Sequence, residues 1–331
     1  MVRYLIGRIF WAVFLFFVAT FIVYVIFFLI PADPARITGV GLSASPALLA
    51  EIRSHLHLDV PFYQQYWIFI WNIFRHQSLG YSFQDGVSVR WVVAQDARVT
   101  ASLVLGAMVF WLLISIPIGI ISALKPRSLF DRGATLFVLI GISAPSFWLG
   151  LILSYVFGFK LGWFPISDYC NFSTHSGGEC SGPLRWAYHL FLPWISLMFL
   201  YAALYTRLIR SSILEVSGED FVRTARAKGA SGRRVLTQHI LRNSLLIVVT
   251  MLGMDLALAF GAAVFIERTF NLHGLGSELI ISAGKDDVPV IVGVVVCTCV
   301  VVIIVNFIVD VLYAWLDPRI RLSGSVSGPD F

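Results

Sequence analysis

The chain has 331 residues, of which 58% are hydrophobic and only 13% are charged. Soluble domains carry about 45–50% apolar and about 25% charged residues, so this composition excludes an ordinary soluble protein. The net charge of +5 comes from Lys and Arg in the connecting segments, and it does not require a nucleic-acid partner.

Six stretches are long and apolar enough to form transmembrane helices. A helix needs about 20 apolar residues to cross a hydrocarbon core of about 30 Å. The stretches are 9–30, 99–124, 133–159, 186–206, 243–266 and 288–309. The first is too long for a signal peptide, and no small-residue cleavage site follows it. The sequence therefore predicts an all-α integral membrane protein with six transmembrane helices.

Lys and Arg are distributed unevenly between the two sides of these spans. With the N-terminus inside, most of the 24 basic residues fall in cytoplasmic segments, above all between Arg207 and Arg242. Cytoplasmic loops carry such an excess in membrane proteins. Both termini are therefore predicted to be cytoplasmic.

The connecting segments divide the chain into four parts. These are 1–30 (cytoplasmic N-terminus and first helix), 31–98 (a small helical extracytoplasmic subdomain), 99–314 (the membrane core with helices two to six) and 315–331 (a cytoplasmic tail). The core includes an outer loop at 160–187, a cytoplasmic loop at 215–243 and a short outer loop at 268–287. In the subdomain, 46–56 and the aromatic stretch 62–74 are predicted helices, the second lying near the lipid headgroups.

The third span contains Gly141 followed by Ser143-Ala-Pro-Ser146. Proline removes a backbone hydrogen bond and bends a helix, and small residues let helices approach closely. Pro145 and Ser146 are therefore candidates for a bend around a membrane pathway. Ordinary helix packing explains the same residues, and the sequence leaves both interpretations open.

The 215–243 loop has its own helix signals. Ser217 and Asp220 have the spacing of a capping box, and Gly229 stands where a left-handed residue would end the helix. A short helix is therefore predicted at about 218–228. It could dock on a partner protein or lie on anionic lipid, and the residues alone do not choose between these.

This loop, with Phe221-Val-Arg-Thr-Ala-Arg-Ala-Lys-Gly229 at its centre, resembles the "EAA" loop of binding-protein-dependent ABC importer permeases. The dipeptide/oligopeptide (DppB/OppB-like) branch is the most similar. The segments that carry the resemblance are 31–34, 58–61, 141–150, 161–165, 214–246, 274–276 and 309–321. Arg223 and Thr224 depart from the general loop pattern, and Arg242 and Ile247 stand where relatives often have proline.

The resemblance implies a type I ABC importer permease fold in a bacterial cytoplasmic membrane. It implies half of a translocation pathway for di- or oligopeptides, or for glutathione, a nickel chelate or haem. The implied partners are a second homologous permease, one or two ABC ATPase subunits that hold ATP and Mg, and an extracytoplasmic binding protein. The implied ATPase-coupling residues are Glu219, Asp220, Phe221, Arg223, Thr224, Ala225, Arg226, Lys228 and Gly229.

A few residues outside this loop are also candidates. Asp255, in the middle of the fifth span, must face protein or water, as a pathway-lining acid or as a structural hydrogen-bond acceptor. Glu267 is predicted just beyond that span, as an interfacial or gate residue. An oxidising exterior favours a disulfide between Cys170 and Cys180, although two separate thiols are the alternative.

Enzymatic functions find no support in the residue inventory. The sequence contains no Walker loop, no nucleophile elbow and no HExxH spacing, so no catalytic residue, metal site or cofactor is predicted in this chain. A proton-coupled secondary transporter that uses Asp255 remains the alternative outside the ABC class.

Overall fold

The computed structural model describes residues 2–29, 50, 52–54, 58–82, 84–172 and 180–316. In chain order, its helices and strands are α1 Val2–Tyr24, α2 Phe62–Trp71, β1 Tyr81–Ser82, β2 Val87–Ser88, α3 Val89–Leu124, α4 Leu129–Ser143, α5 Ser146–Leu153, α6 Pro183–Ser217, α7 Asp220–Ala227, α8 Gly232–Arg234, α9 Leu241–Thr269, α10 Leu275–Gly284 and α11 Val288–Leu316. π-helical turns extend α1 to Leu29, α2 to His76 and α5 to Lys160, and another joins α8 to α9.

Five helical segments are each long and apolar enough to cross a membrane. They are Ile6–Phe28, Val89–Leu124, Pro183–Ser217, Gly232–Thr269 and Val288–Val309. A sixth span exists if the bent pair Leu129–Ser143 and Ser146–Lys160 is taken as one. This agrees with the six spans predicted from the apolar stretches.

The third predicted span, 133–159, is not a single helix, which corrects the sequence prediction. α4 and α5 meet at an angle of 103°. Ala144, which lies between them, is extended at φ −89° and ψ 121°, because a residue that precedes proline is pushed out of the helical region. Pro145 also lacks the N–H that would continue the helix.

α6 lies at the centre of the bundle and packs against α3, α4, α5 and α9. Its Trp194 donates a hydrogen bond to the Ser102 carbonyl of α3 at 3.0 Å. Trp111 of α3 and Tyr205 of α6 are almost completely buried where these two helices meet. The long α3–α6 contact therefore forms the main core.

α3 begins at Val89, ten residues before its apolar stretch and inside the predicted subdomain 31–98. Val89 and Val93 are buried against Leu275 of α10 and against Val290 and Val294 of α11. These tertiary contacts stabilise helix beyond the apolar window.

The predicted helix at 62–74 is confirmed as α2 and its π-helical turn. It lies against α1, where the Tyr66 hydroxyl contacts the Thr20 hydroxyl at 3.0 Å and donates to the Phe17 carbonyl at 3.1 Å. Most of the helix predicted at 46–56, and most of the tail predicted at 315–331, fall outside the described residues.

Two small elements were absent from the sequence predictions. The segment 268–287, predicted as a loop, contains α10, and a short hairpin pairs β1 with β2. The Ser82 hydroxyl donates to Asp287 at 2.5 Å, and burial raises the pKa of that carboxyl. Lys285 forms an ion pair with Asp85 at 2.9 Å, which raises the pKa of the lysine. The hairpin is thereby attached to the end of α10.

The bundle has two distinct ends. We call the end that carries residues 218–231 the loop end, and the end that carries the hairpin the hairpin end.

Candidate functional site

The short helix α7 at the loop end is held against the bundle by one side chain. Val222 is completely buried, in a cluster that includes Ile213 of α6 and Val235 and Ile240 of the turn before α9. The helix is too short to be stable in isolation, so this anchor fixes its position.

The predicted capping box does not form at the start of α7. Ser217 is the last residue of α6, and its hydroxyl donates back to the Ile213 carbonyl at 2.6 Å. Glu219 is the N-cap, and its side chain makes no capping bond. Only Gly218 and Glu219 separate the two helices, so α6 connects almost directly to α7.

The predicted left-handed end of the helix is confirmed at Gly229. Its φ is +81°, and its N–H donates to the Arg226 carbonyl at 3.0 Å. The Ala230 N–H donates to the Ala225 carbonyl at 3.2 Å, which completes a Schellman motif.

The outward side of this loop helix is polar and carries charges of both signs, with a small basic excess. The exposed residues between Glu219 and Gly229 are Glu219, Asp220, Phe221, Arg223, Thr224, Arg226, Ala227, Lys228 and Gly229. The ion pair between Arg223 and Asp220, at 3.7 Å, is exposed at both ends and is therefore weak. Ala225 differs from these residues because it is half-buried against the chain's own core. Bulk at Ala225 would therefore push α7 off the bundle.

The segment after the loop is one continuous helix from Gly232 to Thr269. Arg242 and Ile247 lie inside this helix. A proline at either position would have interrupted the helix's backbone hydrogen bonds. A π-helical turn, Val235–Ile240, is its irregular stretch near the loop. The segment therefore runs without a break from the loop end to the hairpin end of the bundle.

The pathway candidates of the third span lie at the start of α5. Pro145 is exposed and Ser146 is half-buried. The rings of Phe147 in α5 and Phe265 in α9 lie 6.1 Å apart between centroids. The first N–H groups of a helix have no hydrogen-bond partner within that helix. Non-helical backbone at membrane depth is tolerated only where it contacts protein or water. This surface is therefore unsuited to lipid.

Asp255 is half-buried in the middle of α9. Tyr201 and Tyr205 of α6 lie beside it. The Tyr205 hydroxyl is buried and has no hydrogen bond of good geometry within the described part of the chain. Asp255 therefore lies at the α6–α9 junction, about 15 Å along the helix rise from Phe265.

Glu267 lies inside α9, not beyond the span as predicted, and it is completely buried. Its carboxylate accepts hydrogen bonds from the Thr100 hydroxyl at 2.6 Å and from the Ser277 N–H at 2.8 Å. The Gly276 N–H is also directed at it. Thr100 in turn accepts from the Leu275 N–H at 2.8 Å. Glu267 thus caps the start of α10 and lines no open surface.

Cys170 and Cys180 are joined by a disulfide in the structure. The His189 Nε2 lies 3.7 Å from the Cys180 Sγ. These three residues form a cluster of metal-ligand type, but the disulfide occupies both sulfurs.

One charged cluster was missed by the sequence reasoning. Asp131 of α4 accepts hydrogen bonds from Arg210 Nε at 2.7 Å and Nη2 at 3.0 Å, from the Arg127 N–H at 2.8 Å and from the Ser122 hydroxyl. The sequence did offer a signal for this pair, because Asp131 and Arg210 each lie near the loop-side end of a predicted span.

Comparison with known proteins places the chain in a family. Residues 115–322 match the family described as "Binding-protein-dependent transport system inner membrane component", and residues 1–104 match the N-terminal family of such membrane components. The chain is 37% identical over 321 residues to the di/tripeptide transport system permease protein DppB of Pseudomonas aeruginosa, covering 92% of this chain and 95% of that protein. It is 35% identical over 309 residues to the dipeptide transport system permease protein DppB of Escherichia coli, covering 88% and 91%.

The two family matches together cover residues 1–104 and 115–322, so they include residues of every helix from α1 to α11. The chain therefore belongs to the family of binding-protein-dependent transport system inner membrane components, as a multi-pass permease subunit that works with a binding protein and an ATPase and is not itself an enzyme.

Proposed function

We propose that this permease carries di- or oligopeptides across a bacterial inner membrane, with both termini in the cytoplasm. The names of the relatives at 35–37% identity support the peptide substrate. The excess of Lys and Arg on the loop side supports the orientation.

The observation that carries the proposal is the geometry of α7. Val222 fixes the helix on the core and Gly229 closes it, so its exposed charged face projects from the loop end with a set orientation. We assign this face to a groove on the ATPase subunit. α6 leads directly into α7, and the helix 232–269 follows the loop. Movement of α7 would therefore displace both of these transmembrane helices.

We assign the exposed break between α4 and α5 to the translocation pathway, together with Asp255. Pro145 and Ser146 present backbone groups that require water or protein, and a half-buried intramembrane carboxylate has the same requirement. A second, homologous permease would complete the pathway across this surface. ATP and Mg would be held by the ATPase partners, with no cofactor in this chain.

The test is reconstitution of the full assembly in proteoliposomes whose lumen corresponds to the cytoplasm. A labelled dipeptide is added on the outside. Uptake is expected only with ATP, the ATPase subunits and the binding protein together. Excess glutathione, nickel chelate or haem should leave dipeptide uptake unchanged. Uptake that follows a proton gradient without the ATPase would overturn the proposal in favour of a secondary transporter.

Asp255→Asn should separate the two interpretations of this carboxylate. If it receives the peptide amino group, uptake of a dipeptide with a charged amino terminus falls at least about tenfold, because a hydrogen bond to a charged group contributes roughly 1.5–3 kcal/mol. Uptake of an N-acetylated peptide should change much less. Asp286→Asn, on an exposed acid, is the control. Equal loss for both peptides would contradict a pathway role.

A further inference from the structure

A groove opens between α4 and α6 near the loop end. The helices touch at both of its limits. At one limit a Cβ on Gly141 would lie 2.5 Å from the Ala203 Cβ, and at the other Asp131 and Arg210 form their bidentate pair. Between these contacts the helices part around a cavity of about 430 Å³. Small-ligand pockets fall in the range of about 300–1,000 Å³.

Basic groups are concentrated at the loop side of this groove. Arg207 lines the cavity, is exposed, and makes no ion pair with any residue that the structure describes. Arg210 also lines it, and its pair with Asp131 uses Nε and Nη2, so Asp131 does not engage Nη1. Thr206 lies beside them with a buried hydroxyl that lacks a partner among the described residues. The loop side of the groove is therefore basic.

The other part of the groove is apolar. Val138 and Leu139 line it, and Leu139 is exposed. They lie seven and eight residues from Asp131 along α4, which corresponds to about 10–12 Å of helix rise deeper in the bundle. The apolar stretch of α6 ends at Thr206, so Arg207 and Arg210 lie where hydrocarbon gives way to headgroups. Charge and apolar surface therefore follow each other along the membrane normal.

We propose that this groove binds one anionic phospholipid from the leaflet at the loop end. Its phosphate would contact Arg207 and the Nη1 group of Arg210, and an acyl chain would lie along Val138 and Leu139. Basic pockets between transmembrane helices bind anionic lipid headgroups in this manner. The lipid would bridge α4 and α6 just before α6 enters the loop. The proposal rests only on the membrane location and not on the coupling assignment.

The test is native mass spectrometry of the assembled transporter released from nanodiscs that contain equal phosphatidylglycerol and phosphatidylcholine. Wild type should retain phosphatidylglycerol preferentially. Arg207→Gln should reduce that retention about tenfold or more, since a direct hydrogen bond to a charged group contributes roughly 1.5–3 kcal/mol. Arg207→Lys should keep most of it, which also shows that position 207 tolerates substitution.

The matched control is Arg242→Gln, which removes the same charge from an exposed site at the loop end of α9. Equal retention in wild type and Arg207→Gln would overturn the proposal. So would an equal loss in Arg242→Gln, which would indicate surface potential alone. Capture of a second permease by a photo-crosslinking residue placed at Leu139 would assign the groove to protein instead. Transport is not the readout, so the result is independent of the proposed substrate.

Discussion

Gly229→Val is expected to lower ATP-driven uptake about tenfold while leaving the protein inserted and assembled. Gly229 has a φ of +81°, and a Cβ there would meet nothing within 4 Å, so backbone conformation alone requires the glycine. Left-handed backbone costs an L-residue about 1–2 kcal/mol, and a branched side chain is the least suited to it. Since 1.4 kcal/mol is a factor of ten, the ratio of the intact Schellman end to opened forms of the turn would fall about tenfold.

Gly232→Val is the matched control for that experiment. Gly232 lies three residues further on, a Cβ there also meets nothing within 4 Å, and its φ is not in the left-handed region. The two variants therefore add the same bulk to the same exposed loop. Uptake should be measured with the ATPase activity of the same proteoliposomes, since loss of coupling reduces transport more than hydrolysis. Equal defects in both variants would mean that added bulk, and not the backbone conformation, causes the loss. Normal uptake in both variants would mean that this turn has no role in coupling.

Local signals in the sequence were sufficient for several features of the fold. Five apolar stretches became continuous spans, and the aromatic run at 62–74 became α2, because composition and periodicity act within a single segment. Gly229 was predictable for the same reason, since its role depends only on its immediate neighbours. Ser217 was not, because the hydroxyl could bond either forward as a cap or back to the Ile213 carbonyl, and the extension of α6 selected the second.

Contacts between distant segments were not predictable. Thr100 and Glu267 are separated by 167 residues, and Asp131 and Arg210 by 79 residues, so no local pattern pairs them. The proline at 145 predicted a bend, but the angle of 103° depends on how α5 packs against α6 and α9. The interactions that position the candidate pathway are therefore tertiary, whereas those that shape the proposed coupling loop are largely local.

Glu267→Ala is expected to cause the largest loss of stability. The carboxylate is completely buried and accepts hydrogen bonds from Thr100 and Ser277. Its removal leaves buried donors without partners, at about 1–3 kcal/mol each, and also leaves a cavity. A total loss of about 3 kcal/mol or more should appear as a lower melting temperature of the purified assembly. Because α10 holds the hairpin, proteolysis between residues 81 and 88 should become faster.

The two glycines at the ends of α10 test the same anchor without changing a charge. A Cβ on Gly274 would lie 2.4 Å from the Glu267 carboxylate, whereas a Cβ on Gly284 meets nothing within 4 Å. The Gly274 backbone, at φ −113° and ψ 175°, accepts alanine without strain, so the penalty is purely steric. Gly274→Ala should cost about 1–3 kcal/mol. Gly284→Ala should be neutral or slightly stabilising, because alanine favours helix by roughly 0.5–1 kcal/mol over glycine.

The double variant Glu267→Ala with Gly274→Ala determines whether the two positions act through one contact. The new methyl group would enter the space that the carboxylate leaves, so the steric cost of Gly274→Ala should largely disappear in the Glu267→Ala background. The double variant should then lose about 1–3 kcal/mol less than the sum of the single losses, within the range measured for residues in contact. Strictly additive losses would mean that α10 is held by other contacts, with the hairpin ion pair of Lys285 and Asp85 as the next candidate.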